Sequence, residues 1–202
     1  MTIDINVKET TEEFLDDIDE IIEDTMIQMF FLQPKDAAAL EKAKADAQEY
    51  SAIFYAAPLS LKDSVDVNCV GFSIKESEEL QDQPSLDKPL FIEESDLNDR
   101  MLAQLITRGD KGFVLNATHA HEGLENFFVA IGPANVGEFD PEVLSSLSMD
   151  KIVLQSSYPD HDFEEIFSTV KTLSDALLRP EQSIIARATK HTLNLSGFKK
   201  NG

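Results

Sequence analysis

The chain has a single cysteine, Cys69, and only 17 lysine and arginine residues against 38 aspartate and glutamate residues. One cysteine excludes an intramolecular disulfide framework. The formal net charge of −21 opposes sequence-independent binding to nucleic acid, because such binding depends on lysine and arginine side chains that displace counterions from phosphates. We therefore do not expect nucleic acid to be a partner of this acidic protein.

Long apolar segments are also missing from the sequence. No apolar run approaches the roughly 18 residues that a membrane span requires. The N-terminal residues do not combine a basic region with an apolar stretch and a cleavage site of small residues. We therefore expect no membrane association and a cytoplasmic location. At 202 residues and 42% hydrophobic composition, the chain is expected to form one domain, residues 1–202, around one core.

Short apolar segments with the length of β-strands recur eight times along the chain. They are TIDINV (2–7), MIQMFFL (26–32), SAIFYAA (51–57), NCVGFSI (68–74), PLFIEE (89–94), GFVLNAT (112–118), FFVAIG (127–132) and KIVLQSS (151–157). Most of these segments are continuously apolar, which indicates strands that are covered on both faces, as in a parallel sheet.

Amphipathic segments between the strands predict helices. The predicted helices lie at 10–24 with Thr10 and Glu13 as a capping box, at 36–49 after Asp36, from Asp96 to Gly109, after Asp140, around 163–177 and from Pro180 to Gly197. The links 58–67 and 75–88 are too short or too interrupted for full helices, so a second subunit or loops must cover that side. The alternation predicts an α/β fold, a compact (β/α)8 TIM-type barrel with some helices shortened or missing.

Several segments carry a family resemblance. DKIVLQSSYPD (150–160) and PEQSIIARATKHTLNLSGF (180–198) are similar to the closing segment of TatD-type metal-dependent hydrolases. TIDINV resembles the family's first strand, I-D-x-H-x-H, and PLFIEESD (89–96) resembles its fifth strand, P-V-x-I-H-S-R-D. The resemblance implies a (β/α)8 barrel with metal ligands at the carboxyl ends of the strands. It also implies metal-assisted hydrolysis, notably of DNA phosphodiesters.

The ligand positions that the resemblance implies hold other residues here. The two first-strand histidines fall on Asn6 and Lys8, the fifth-strand histidine on Glu93, the sixth-strand histidine near Asn116 and the eighth-strand aspartate on Ser157. Hydrolysis of this kind needs a divalent ion and a carboxylate that activates water. We therefore predict a TatD-like barrel that has lost hydrolase activity, uses no cofactor and acts as a binding or scaffold protein. No residue is assigned a catalytic role.

The segment NATHAHEGLE (116–125) supports an alternative. It contains His119 and His121, two of the four histidines, and side chains at i and i+2 of an extended segment point to the same side. With Glu93 or Glu94, these histidines could bind zinc, magnesium or manganese in a hydrolase of phosphodiesterase or nuclease type with a rebuilt site. This alternative requires the two histidines to place nitrogen atoms within about 4 to 5 Å of each other.

The polar residues near the strand ends are the candidate pocket under the first hypothesis. They are Asn6, Lys8, Glu93, Glu94, Asn116, Thr118, His119, His121, Ser157 and His161. The expected partner of such a pocket is a protein, a small ligand or a second copy of the chain. A third hypothesis abandons the resemblance and takes the chain as an unrelated α/β interaction module with an acidic N-terminal contact surface.

Overall fold

The computed structural model describes residues 1–76, 80 and 83–198. Its centre is an all-parallel sheet of eight strands, which pair in the order of the sequence and form a nearly closed (β/α)8 barrel. The strands are β1 (Thr2–Val7), β2 (Ile27–Leu32), β3 (Ile53–Pro58), β4 (Cys69–Ile74), β5 (Leu90–Glu93), β6 (Gly112–Leu115), β7 (Phe127–Ile131) and β8 (Ile152–Leu154). Every predicted strand segment overlaps one of these strands, and the predicted fold class is confirmed.

The α-helices cover the barrel unevenly. They are α1 (Glu12–Asp16), α2 (Ile18–Thr25), α3 (Ala37–Glu49), α4 (Asp99–Arg108), α5 (Pro141–Ser146), α6 (Glu165–Leu177) and α7 (Glu181–Ser196). A 3-10 helix, Leu59–Ser64, connects β3 to β4, and the link from β6 to β7 contains no helix. Within the described ranges, no helix has the length and apolar character needed to cross a membrane.

The predicted first helix is divided into α1 and α2 at Asp17. Its predicted cap is also wrong by one residue, because the side chain of Thr11 accepts from the backbone N–H of Phe14 at 3.0 Å. Thr10 is buried instead, and its hydroxyl donates to Asp46 on α3 at 2.6 Å. An N-cap hydroxyl must face the first turn of the helix, and Thr10 is engaged elsewhere.

Apolar side chains form two layers. Inside the barrel lie Ile3, Ile5, Phe31, Ala56, Val70, Phe91, Phe113, Leu115, Ala130 and Val153. Phe198, which follows α7, packs on Phe54 with ring centroids 4.7 Å apart and covers the amino-terminal end of this interior. The outer layer joins the strands to the helices, and Leu59, Leu80 and Leu86 from the two helix-poor links also pack on it. Loops therefore contribute to the cover on that side.

The seam between β8 and β1 closes through residues just beyond β8. The backbone N–H of Ser157 donates to the carbonyl of Asn6 at 3.0 Å, and that of Lys8 donates to the carbonyl of Tyr158 at 2.8 Å. Asp4 contributes a side chain to the seam, because its carboxylate accepts from the backbone N–H of Ser156 at 2.9 Å and from the Ser156 hydroxyl. The carboxyl ends of β1 and β8 thus meet at one end of the barrel.

Candidate functional site

The carboxyl ends of the strands surround a polar mouth above the apolar interior. A cavity of about 490 Å³ opens there, and its wall includes Asn6, Lys8 and Glu93. Parallel strands of a closed barrel all end on the same face, so residues that are distant in sequence meet at this mouth. The volume lies in the range that accommodates a small molecule.

A buried network of amides and hydroxyls forms the floor of the mouth. The side-chain amide of Asn6 donates to Gln155 at 3.4 Å and to the hydroxyl of Ser157 at 3.3 Å. Gln155 in turn donates to the side-chain carbonyl of Asn116, which also accepts from Ser157 at 3.2 Å. Asn116 completes the network by donating to Glu93 at 2.8 Å. These side chains hold one another in place across β1, β5, β6 and β8.

One polar atom of the network has no hydrogen-bond partner among the described residues. Asn6 is fully buried and lines the mouth cavity, and its side-chain oxygen has no hydrogen-bond partner among the described protein atoms. An unpaired buried carbonyl costs free energy, so a water or a donor group of a ligand is the natural partner of this oxygen.

Lys8 is not part of the network, and its side chain is exposed to solvent. Its ammonium group donates to Asp160 at 2.5 Å, and this hydrogen bond lowers the pKa of the Asp160 carboxyl. Both side chains are largely exposed, so solvent screens the ion pair. His161 also points away from the mouth network and approaches Glu165 on α6 at 3.3 Å.

A separate cluster lies beside the mouth, at the start of the link from β6 to β7. Glu94 follows β5 directly, and its Oε1 lies 2.9 Å from Nε2 of His121 and 3.3 Å from Nδ1 of His119. The other oxygen, Oε2, accepts from the backbone N–H of Thr118 at 3.0 Å and from its hydroxyl at 2.9 Å. Glu94, His119 and His121 each offer one ligand atom, and these atoms all lie within 4.8 Å of one another.

The two imidazoles of this cluster differ in their surroundings. The side chain of His119 is 53% exposed, whereas that of His121 is 15% exposed. Burial lowers the pKa of His121, and the hydrogen bond to Glu94 only partly opposes this effect. Neutral His121 is therefore the favoured form near neutral pH, with an Nε2–H that can donate to Glu94.

The structure sorts the residues singled out from the sequence into three groups. Asn6, Glu93, Asn116 and Ser157 meet in the mouth network, whereas Glu94, Thr118, His119 and His121 meet in the cluster. Lys8 and His161 stand at the edge of the mouth, in pairs with Asp160 and Glu165. The carboxylate that joins the histidines is Glu94, since Glu93 is engaged with Asn116.

Sequence reasoning missed the functional position of Gln155 and the role of Asp4 at the seam. A signal for Asp4 was present, because an acidic residue inside a continuously apolar strand is costly to bury unless it accepts hydrogen bonds. Asp4 is fully buried, and this burial raises the pKa of its carboxyl despite the hydrogen bonds from Ser156 and Asn6. A signal for Gln155 was also present, because it lies two residues before Ser157 in the predicted eighth strand and alternate residues of a strand face the same side.

The mouth does not fit the divalent metal that the TatD resemblance implies. Asn6 directs its amide N–H groups at Gln155 and Ser157, and Lys8, where the resemblance places the second histidine, binds Asp160 with its ammonium group. Glu93 is the one carboxylate of the network. Amide donors and a lysine ammonium repel a cation or fail to bind it, so no hydrolytic step is assigned to this mouth.

Comparison with solved structures identifies the fold. The TatD homologue YjjV from Escherichia coli is similar with a TM-score of 0.78 and 12% identity, over 98% of each chain. A TatD-family hydrolase from Entamoeba histolytica is similar with a TM-score of 0.68 and 11% identity, over 96% of this chain and 97% of that one. An uncharacterised amidohydrolase from Saccharomyces cerevisiae has a TM-score of 0.70 and 9% identity, over 96% and 99%.

At these identities the similarity establishes a TatD-type fold over nearly the whole chain. No protein-family model matches the sequence, and no curated protein matches it either. Among its described residues, this chain presents one cluster of potential metal ligands.

Proposed function

We propose that this chain is a TatD-like barrel that no longer hydrolyses substrates and instead binds a small polar ligand at the mouth. The observation that carries the proposal is the buried network in which Gln155 joins Asn6, Asn116 and Ser157, three positions where the resemblance places metal ligands. Amides and a hydroxyl stand where the resemblance implies imidazole and carboxylate ligands, and this donor set disfavours a metal-activated water.

Ligand binding is supported by the cavity and by the unpaired oxygen of Asn6. A cavity of about 490 Å³ holds a small molecule, and a donor group of that molecule would satisfy the Asn6 oxygen. Lys8, Lys35 and Lys75 line the cavity together with acidic side chains, so its wall presents charges of both signs. A polar ligand that carries donor groups matches such a wall better than an apolar one.

A second candidate function is a hydrolase with a rebuilt metal site. The cluster of Glu94, His119 and His121 favours it, since two histidines and a glutamate form known zinc sites. None of these three residues, however, is among the residues that line the mouth cavity. A metal held by them would therefore lie beside the cavity and outside its wall.

An activity assay separates the two candidates. The protein is purified without chelator or affinity tag and incubated with zinc, manganese or magnesium and with bis(p-nitrophenyl) phosphate or p-nitrophenyl acetate. We expect no turnover above that of the metal alone. Metal-dependent turnover that is lost in Glu94→Gln but kept in Glu93→Gln would instead establish the second candidate.

A further inference from the structure

The link from β6 to β7, residues 116–126, joins its two strands through a loop without a helix. In this link Ala117 and Leu124 are buried and pack in the outer layer with Val114, Phe127 and Val129. The loop has no ladder or helix of its own, so it depends on tertiary contacts at a few positions.

Glu94 supplies the contacts that fasten the first half of this loop. Its Oε2 accepts two hydrogen bonds from Thr118, and its Oε1 faces both imidazoles. The rings of His119 and His121 lie with centroids 4.2 Å apart. One carboxylate and two imidazoles thus converge on a single point between the end of β5 and the loop.

The distances suit a tetrahedral cation. Zinc binds histidine nitrogen and carboxylate oxygen at about 2.0 to 2.2 Å, which puts neighbouring ligand atoms roughly 3.3 to 3.5 Å apart. Oε1 of Glu94 lies 3.3 Å from Nδ1 of His119 and 2.9 Å from Nε2 of His121. All three ligand atoms lie within 4.8 Å of one another, so side-chain rotations that draw the two imidazole nitrogens together would complete three ligands, with water as the fourth.

The cluster also has the supporting contacts that metal sites need. Thr118 holds Oε2 of Glu94 through both its backbone N–H and its hydroxyl, which leaves Oε1 directed at the imidazoles. Partners of this kind orient a ligating carboxylate and raise metal affinity. The site uses Glu94 and two loop histidines, and it is therefore separate from Glu93 and Asn116, the positions that the family resemblance indicates.

We propose that Glu94, His119 and His121 form a zinc site whose role is to fasten the helix-free β6–β7 loop to the end of β5. Zinc binding to the folded protein stabilises it by mass action, and the stabilisation should concentrate in this loop. The inference does not depend on what the mouth binds.

Calorimetric titration of the untagged, metal-free protein with zinc chloride tests the site. We expect one equivalent to bind, with loss of that binding in His119→Ala and a roughly 10- to 100-fold weaker affinity in Thr118→Val, because Thr118 orients the carboxylate. His161→Ala is the matched control, since His161 also lies 3.3 Å from a glutamate but has no third ligand in the described chain. His119 is exposed, so its truncation should leave the metal-free fold intact, which the melting temperature without zinc will verify.

Amide hydrogen exchange tests the role of the bound ion. Zinc should slow exchange at Thr118 and Leu124, whose amides bond within this loop and to Glu94, while α7 remains unchanged. The proposal is overturned if zinc does not bind, if it binds equally well to His119→Ala, or if it binds without protecting the loop. Zinc binding that requires Asn6 or Glu93 would instead place the metal in the mouth and contradict the proposed function as well.

Discussion

At the scale of single residues, Asp4 helps to close the barrel between β1 and β8. Its carboxylate stands between β1 and β8 and accepts from the backbone and hydroxyl of Ser156 and from the backbone N–H of Asn6. It is fully buried, and burial raises the pKa of the carboxyl above its ordinary value. The folded protein therefore holds this proton more tightly than the unfolded chain, so that ionisation of Asp4 opposes folding.

Asp4→Asn should make stability less dependent on pH. For a group whose pKa is raised on folding, the contribution to stability is present below the unfolded pKa of about 3.9 and is lost as pH rises through the folded pKa. Asparagine keeps an acceptor for the two N–H groups and does not ionise. The free energy of unfolding of Asp4→Asn minus that of the unchanged protein should therefore grow as pH rises above the unfolded pKa and level off above the folded pKa, as measured by urea denaturation.

The exposed residue Asp63 provides the control for this measurement. Asp63→Asn removes the same formal charge from the surface and should give a difference that changes much less over the same pH interval. If the difference for Asp4→Asn stays constant or shrinks as pH rises, burial does not raise the pKa of the Asp4 carboxyl.

Single residues were predictable from sequence where a strand end fixed them. Asn6 and Ser157 could be placed at the mouth because parallel strands of a barrel end on one face. The choice between Glu93 and Glu94 could not be made, because it depends on which side chain turns toward the loop where β5 ends. Asn116 has a φ of 52° and Ser157 a φ of 71°, and such local turns in the backbone decide where the following side chains point.

At the scale of elements, strands were easier to predict than helix starts. Continuous apolar runs mark strands that are buried on both faces, whereas a helix start depends on one capping side chain. The helix predicted from Asp96 begins at Asp99, and its N-cap is Asn98, whose side chain accepts from the backbone N–H of Met101 at 3.0 Å. Several acidic and amide residues in this segment could cap, and only the conformation of the preceding 3-10 turn selects Asn98.

Asn98→Ala should destabilise the protein by about 1 kcal/mol, because the N–H of Met101 loses its partner at the start of α4. Asn98→Asp should retain most of the stability, since aspartate caps about as well as asparagine and its charge favours a helix N-terminus. Urea denaturation of the three proteins measures both effects. Equal destabilisation by alanine and aspartate would indicate that the Asn98 side chain does not act as a cap.

For the whole molecule, charge and fold suggest different partners. The family resemblance implies action on DNA. This chain, however, has a net charge of −21, and both lysines and acidic residues line its mouth. Lys8 is paired with Asp160, and the cavity wall also holds Glu9, Glu93 and Asp96. A phosphate backbone approaching this face would meet at least as many carboxylates as ammonium groups. The mouth therefore lacks the positively charged surface that favours DNA binding.

We therefore expect no binding of a fluorescent duplex DNA, measured as fluorescence anisotropy, at about 50 mM or about 150 mM salt. Lowering the salt strengthens phosphate contacts steeply when lysine and arginine make them, so the lower concentration is the more demanding condition. Added magnesium should not change the result, because the network offers the ion a single carboxylate, that of Glu93. Binding that weakens with salt and falls further in Lys35→Ala would contradict this expectation and would make the mouth a nucleic-acid site despite the acidity of the chain.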